Sequence, residues 1–168
     1  GEYNIGIGGP CMTALSTGAN NIALGHLALN AATTHSANIA IGTSALAATT
    51  ASNNIGIGSN AADANTTGTR NIAIGHGAYD SSDTENDNLA IGFDAMATNT
   101  AGGSSNVAVG NYALDALTSG DENIAVGNNA MGALTTGSSN TAMGAAALGG
   151  ADVTGNFNTA IGHNAMNA

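Results

Sequence analysis

The chain repeats one short phrase ten times at an almost constant interval. Each copy begins with an asparagine, which we number position 0 of the repeat. An aliphatic residue or Thr follows, then Ala or Gly, then a second aliphatic residue or Met, then Gly. The anchors, 16 to 18 residues apart, are Asn4, Asn21, Asn38, Asn54, Asn71, Asn88, Asn106, Asn123, Asn140 and Asn158. Self-similarity at a fixed short period indicates an architecture in which each unit stacks on the next.

The length of the repeat selects the kind of unit. Helical-pair repeats need about 33 to 47 residues, whereas a unit of this length suits one turn of a β-solenoid. The 25 Gly residues and the many Thr, Asn and Ser residues also disfavour helix. We therefore predict an all-β fold, a parallel β-solenoid of about ten 17-residue coils, as one domain over residues 1–168. Because the sequence begins and ends inside a repeat, we expect it to be a fragment or processed piece of a longer fibre.

Positions +1 to +3 alternate in size, as a strand with two different faces does. Positions +1 and +3 share one face and are large, and position +2 on the other face is always Ala or Gly. Such a constraint indicates a close approach, which we expect from another chain; the alternative is that the small residues face the interior of their own coil. The predicted inter-chain packing residues are Ala23, Ala40, Ala73, Ala90, Ala108, Ala125, Ala142 and Ala160.

The rest of the repeat predicts a corner, a second apolar segment and a polar loop that connects to the next coil. An invariable Gly at position +4 indicates a corner that needs positive φ or the absence of a Cβ atom. These corner glycines are Gly8, Gly25, Gly42, Gly58, Gly75, Gly92, Gly110, Gly127, Gly144 and Gly162. Positions +7 and +8 form a small-large pair such as Ala28-Leu29, and a Thr, Gly and Ser-rich connection leads to the next anchor. Stacked anchors could pair their amides in a ladder.

The charge of the chain limits its possible binding partners, and its single cysteine has a structural interpretation. Eleven acidic residues against one base, Arg70, give a net charge of −10, which argues against nucleic acid and anionic membranes as partners. No run of about 18 apolar residues predicts a membrane span. The single Cys11 occupies the small position +7 and is interpreted as a packed thiol in place of Ala.

One acidic segment is a candidate metal site. Asp83, Glu85 and Asp87 alternate along Asp80 to Asn88, a spacing by which a loop can wrap a hard cation such as calcium. The EF-hand pattern is not met. A solvated acidic turn is the alternative, and we expect no cofactor other than this calcium.

Catalytic chemistry finds little support in the sequence. His26, His76 and His163 share position +5 but belong to distant repeats, so they cannot converge on one metal. The glycine-rich phrases recur with the coil period and precede no helical pattern, which argues against a dinucleotide site. We expect no enzyme, no catalytic residues and no cofactor-binding residues. Recurrent pairs such as Thr66-Thr67 raise ice binding as a hypothesis, and Asn65 begins the only glycosylation sequon.

The phrases NIALGHLAL, NIAIGHGA and NTAIGHNAM resemble the head repeats of YadA-type trimeric autotransporter adhesins and related repeats of phage tail fibres. The resemblance implies a left-handed parallel β-roll in each chain, a homotrimer around a common axis, and an extracellular adhesive or fibre role. Carried over by position, it makes Ile22 and Leu24 core residues, Gly25 a corner, and Ala23 and Ala28 close-packing residues.

Together these observations predict a structural, non-enzymatic fibre or adhesin head that mediates assembly and surface attachment. We expect it to lie outside the cell or on a cell or virion surface. Its predicted partners are copies of itself, as a homotrimer or stacked end to end, and an unknown cell-surface or extracellular receptor. The second hypothesis is a self-polymerising extracellular filament subunit, and the third is an ice-binding β-solenoid.

Overall fold

All strands in the described part of the chain lie in one parallel sheet. A computed structural model describes residues 1–98, 102–150 and 154–167, and within them we find strands and turns but no helix. Each strand occupies positions +1 to +3 of one repeat. The strands are β1 (Ile5–Ile7), β2 (Ile22–Leu24), β3 (Ile39–Ile41), β4 (Ile55–Ile57), β5 (Ile72–Ile74), β6 (Leu89–Ile91), β7 (Val107–Val109), β8 (Ile124–Val126), β9 (Thr141–Met143) and β10 (Thr159–Ile161). The predicted all-β solenoid of 17-residue coils is confirmed.

Consecutive strands are hydrogen-bonded neighbours in the sheet, so the order in the sheet is the order in the sequence, β1 to β10. The register joins equivalent positions, so that Ile39 pairs with Ile22 on one side and Ile55 on the other. Every position of the repeat therefore forms a ladder along the rod. At a strand spacing of about 4.8 Å, β1 and β10 lie roughly 45 Å apart.

The corner glycines are confirmed, and two physical requirements restrict these positions to glycine. All ten have φ between 122° and 140°, a region that residues with a Cβ rarely adopt. A Cβ atom on Gly25 would also lie 2.6 Å from the carbonyl oxygen of Gly42 in the next coil. The corner therefore sets both the turn of each coil and the distance to the next one.

Most coils have three further bends that use left-handed backbone at residues other than glycine. In the described ranges, 28 non-glycine residues have φ between 48° and 66°, at positions −1, +6 and +8. None is Val, Ile or Thr, which are the residues least tolerant of this conformation. At position +8 the left-handed bend points the side chain into the coil and the backbone N–H towards the next coil. Leu114, for example, is fully buried, and its backbone N donates to the Ala130 carbonyl at 3.1 Å.

The interior of the coil is thin and built from positions +2, +7, +8 and, in several coils, +11. Ala23, Ala28 and Leu29 are fully buried in the second coil, and equivalent residues continue the core along the rod. Most coils bury a large side chain at position +8, which packs against a small residue at position +2. A Cβ atom on Gly56 would lie 2.9 Å from Cγ of Leu46. The size constraint at position +2 thus comes from within the chain.

This packing corrects the prediction of inter-chain contact at position +2. The residues concerned are no more than 2% exposed in the single chain, so another chain cannot reach them. The alternative, that the small residues face their own interior, is the correct one. The corrected residues are Ala23, Ala40, Ala73, Ala90, Ala108, Ala125, Ala142 and Ala160.

The large residues of each strand correspondingly point away from the interior. The resemblance placed Ile22 and Leu24 in the core, but Ile22 is half-buried and Leu24 is 41% exposed. Side chains alternate along a strand, so burying position +2 turns positions +1 and +3 outward. That expectation is therefore wrong.

The asparagine anchors form the predicted ladder. The Oδ1 atom of Asn106 accepts hydrogen bonds from the backbone N and Nδ2 of Asn123, at 2.9 and 3.0 Å. Its Nδ2 donates to the Gly120 carbonyl at 2.8 Å, which ties the end of the same coil to its beginning. The anchors from Asn21 to Asn140 are at most 2% exposed. Each anchor therefore closes its own coil and holds the next.

Candidate interaction surfaces

The outer side of the sheet is a continuous apolar strip. We call it the aliphatic face and define it as positions +1 and +3 of β1 to β10. Its twenty residues include no charged one. Leu24, Ile124 and Met143 are 41 to 46% exposed, and those of the middle coils are mostly half-buried. Only Thr141 and Thr159 interrupt its hydrophobic character.

An exposed apolar face is unusual for a sheet of this kind. Parallel sheets occur almost entirely with both faces covered, and here the coil covers only the inner one. Ten strands at the usual spacing, each three residues long, give a strip of roughly 45 by 10 Å. The resulting footprint of about 450 Å² lies in the range of apolar patches that serve interaction on monomeric proteins.

The candidate calcium turn does not assemble. The Asp83 carboxylate accepts from the Thr66 hydroxyl, and the buried Glu85 carboxylate accepts from the backbone N atoms of Asp83 and Thr84 at 2.9 and 3.0 Å. Asp87 instead forms a two-pronged pair with Arg70, at 2.6 and 2.7 Å. No group of three His, Cys, Asp or Glu side chains in the described ranges could hold a metal ion. The predicted site of Asp83, Glu85 and Asp87 is therefore corrected to three separate structural contacts.

The Arg70–Asp87 pair bridges two coils on the surface. The hydrogen bonds from Arg70 lower the pKa of Asp87 below its usual value of 3.8, and the same pairing raises the pKa of Arg70. Both side chains are largely exposed, so solvent screens their attraction. The one basic side chain of the sequence is thus engaged with a carboxylate.

Histidine at position +5 participates in an aromatic stack. The ring of His76 lies parallel to that of Phe93 with centroids 5.2 Å apart, and Tyr112 meets Phe93 edge-on at 5.5 Å. We call these three residues the aromatic rung. Phe93 and Tyr112 are 40% and 41% exposed.

One carboxylate lies beside the aromatic rung, and its charge acts on further carboxylates. Asp94 follows Phe93, and its Oδ1 lies 3.9 Å from Nδ1 of His76. Burial raises the pKa of Asp80, and the charges of Asp63 and Asp94 raise it further. Burial likewise raises the pKa of Asp63 and Asp115, and Asp94 adds to the effect at Asp115. Asp63, Asp80 and Asp115 share position +9 and are called the +9 carboxylates below.

The connection between coils uses its hydroxyls internally. Thr50 Oγ1 donates to the Thr66 carbonyl at 3.0 Å, and Thr118 Oγ1 donates to the Thr135 carbonyl at 2.9 Å. The sequon residue Asn65 is fully buried, a position that a glycan could not occupy. Cys11 is a free thiol packed against the core, in agreement with its interpretation as a substitute for Ala.

No pocket is found in the part of the chain that the structure describes. The same residues contain no helix with the length and apolarity needed to cross a membrane.

These features define a β-solenoid repeat protein with an uncovered aliphatic face along one side. No family model, no curated protein and no solved structure matches the chain.

The aliphatic face and the aromatic rung are the surfaces that sequence reasoning missed. The sequence did contain a signal for the aliphatic face. A small residue at position +2 and a large one at position +8 complement each other in size inside one coil, and burying position +2 turns positions +1 and +3 outward. The signal for the aromatic rung was weaker. Phe93 and Tyr112 stand at positions +5 and +6, where other repeats carry small or polar residues such as Ser59 and Ser44.

Proposed function

We propose that this protein is a structural, non-enzymatic building block of an extracellular fibre or adhesin head, and that its copies associate through the aliphatic face. The observation that carries the proposal is the uncharged apolar strip on the outside of a parallel sheet. Covering it with a second copy removes from water a surface that the single chain cannot cover. The repeat resemblance favours three copies around one axis and an extracellular role in attachment.

A second copy suits the aliphatic face because both partners repeat with the same spacing. Every coil adds one pair of outward-facing residues, at positions +1 and +3, to the aliphatic face. Two such faces can therefore meet along the whole rod without a mismatch in period. A charged partner would leave ionic groups unpaired against this surface. A copy of the same strip brings none.

The area also sets the expected strength of association. Burying about 450 Å² of apolar surface per chain gives roughly 11 kcal/mol before the costs of association. Those costs are about 4 to 15 kcal/mol. We therefore expect assembly that depends on protein concentration.

The experiment changes position +1 in three central coils to a residue that the chain already carries there. Thr stands at this position in β9 and β10, so Ile55→Thr, Ile72→Thr and Leu89→Thr together preserve the strand while removing apolar surface. The matched control replaces three exposed threonines of the connection, Thr34, Thr67 and Thr136, with Ala.

Light scattering after size-exclusion chromatography gives the mass of each variant. We expect the wild type and the control to share an oligomeric mass and the strand variant to shift towards the monomer, with unchanged far-UV circular dichroism. A folded strand variant that keeps the wild-type mass would refute association through this face.

A further inference from the structure

The aromatic rung lies after the corner glycines, outside the strands that form the aliphatic face, and has features that self-association does not use. Of the five Phe and Tyr residues in the chain, two lie here, with about two-fifths of each side chain in solvent. The His76–Phe93 stack uses ring faces and the Phe93–Tyr112 contact uses a ring edge, and both Phe93 and Tyr112 remain partly exposed beside these contacts. Exposed large apolar groups in contact with one another mark interaction sites more often than isolated ones do.

The charge around the rung restricts the occupant. Asp94 lies beside the rung, with its Oδ1 3.9 Å from Nδ1 of His76, and its charge acts on both Asp80 and Asp115. The chain supplies no lysine, and its one arginine, Arg70, is paired with Asp87. Beyond His76, the carboxylates beside the rung therefore have no unpaired lysine or arginine of their own chain to face.

We propose that the aromatic rung and its carboxylates form a docking surface for an arginine- or lysine-bearing segment of a different protein. The aliphatic stems of such side chains pack on ring edges while their charged ends reach carboxylates. A second copy of this chain cannot be the occupant, because it carries the same acidic groups and the same engaged Arg70. An uncharged partner would bury the carboxylates without a counterion, at a cost in desolvation.

The test measures binding of a labelled hexa-arginine peptide to the intact chain by fluorescence anisotropy. Because the whole protein carries a charge of −10, the variants must separate the rung from general attraction. Phe93→Ser with Tyr112→Ser changes no charge and introduces the residues that the repeat has at Ser59 and Ser44.

Two charge variants complete the design. Asp94→Asn removes the carboxylate beside the rung, and asparagine tolerates the left-handed backbone at this position. The matched control, Asp121→Asn, removes one exposed carboxylate elsewhere and keeps the oxygen that accepts from Ser104 N. Far-UV circular dichroism verifies that each variant is folded.

We expect the double serine variant and Asp94→Asn each to weaken binding about fivefold, the size of an exposed charge or stem contact. Asp121→Asn should change affinity by less than about twofold. Equal effects of the two aspartate variants with no effect of the serine variant would show diffuse attraction and overturn the proposal. Equally tight binding of a hexa-serine peptide would overturn the cationic specificity.

Discussion

Removing one anchor amide tests the ladder that closes the coils. Asn106 lies in a central coil, is fully buried, and connects its own coil to the next. In Asn106→Ala the backbone N of Asn123 loses its acceptor and the Gly120 carbonyl loses its donor. The side-chain amide of Asn123 keeps a second partner, the Gly137 carbonyl at 2.8 Å.

The expected loss follows from those two groups. A buried donor or acceptor left without a partner costs about 1 to 3 kcal/mol, so Asn106→Ala should lower the free energy of unfolding by about 2 to 6 kcal/mol. The exposed Asn128 makes one longer bond, 3.3 Å to the Asn111 carbonyl. Asn128→Ala, the control, should change stability by less than about 0.5 kcal/mol.

Asn106→Asp separates the two roles of the amide. The carboxylate keeps an acceptor for Asn123 but loses the donor to Gly120, and burial should raise its pKa. A group whose pKa is raised on folding contributes stability that is present below its ordinary pKa and is lost as pH rises through the folded value. The variant should therefore be much less stable at pH 7 than at pH 4, where the protonated carboxyl can donate to Gly120.

Urea unfolding followed by far-UV circular dichroism provides these free energies at both pH values. Because each repeat contacts only its neighbours, amide hydrogen exchange should show the loss of protection concentrated around Asn123. If Asn106→Ala and Asn128→Ala are equally stable, the buried ladder does not hold the coils together and the reasoning fails.

Three further predictions concern the backbone and the carboxylates. Leu114→Ile should cost about 1 to 2 kcal/mol more than Leu117→Ile in chemical unfolding, since both are buried but only Leu114 has positive φ; equal costs would contradict the strain. Gly25→Ala should destabilise more than Gly102→Ala, because both have positive φ but only the first meets the neighbouring coil; thermal unfolding decides, and similar melting temperatures would count against the close stacking. The raised pKa of the +9 carboxylates means that their contribution to stability is lost as pH rises above 3.8. Replacing all three with Asn should flatten that part of a melting-temperature profile, and an unchanged slope would refute it.

The fold was predictable because its signals repeat. Ten anchors and ten corner glycines specify the strand, the turn and the parallel stacking of coils, and the structure confirms each. The interior was not predicted correctly. The family resemblance placed Ile22 and Leu24 in the core, whereas the structure buries Ala23 and Leu29 there instead. In a coil this thin, the size of the opposing side chain decides which face is inside.

The candidate metal turn failed for a different reason. Sequence spacing placed Asp83, Glu85 and Asp87 close together along the chain, but side chains of alternate residues need not converge. Glu85 points into the coil and binds its own turn, and Asp87 reaches Arg70 one coil away. Asp83 and Asp87 contact residues 17 positions earlier, in the preceding coil, and the spacing of acidic residues within one loop does not reveal such contacts.

The mass of the intact protein in solution tests the central claim that copies cover the aliphatic face. Sedimentation equilibrium should be measured over a range of protein concentrations, because the apolar area predicts reversible association. The account predicts a mass that rises with concentration towards three times the 16.1 kDa of one chain. A mass that stays at 16.1 kDa at every concentration would contradict it.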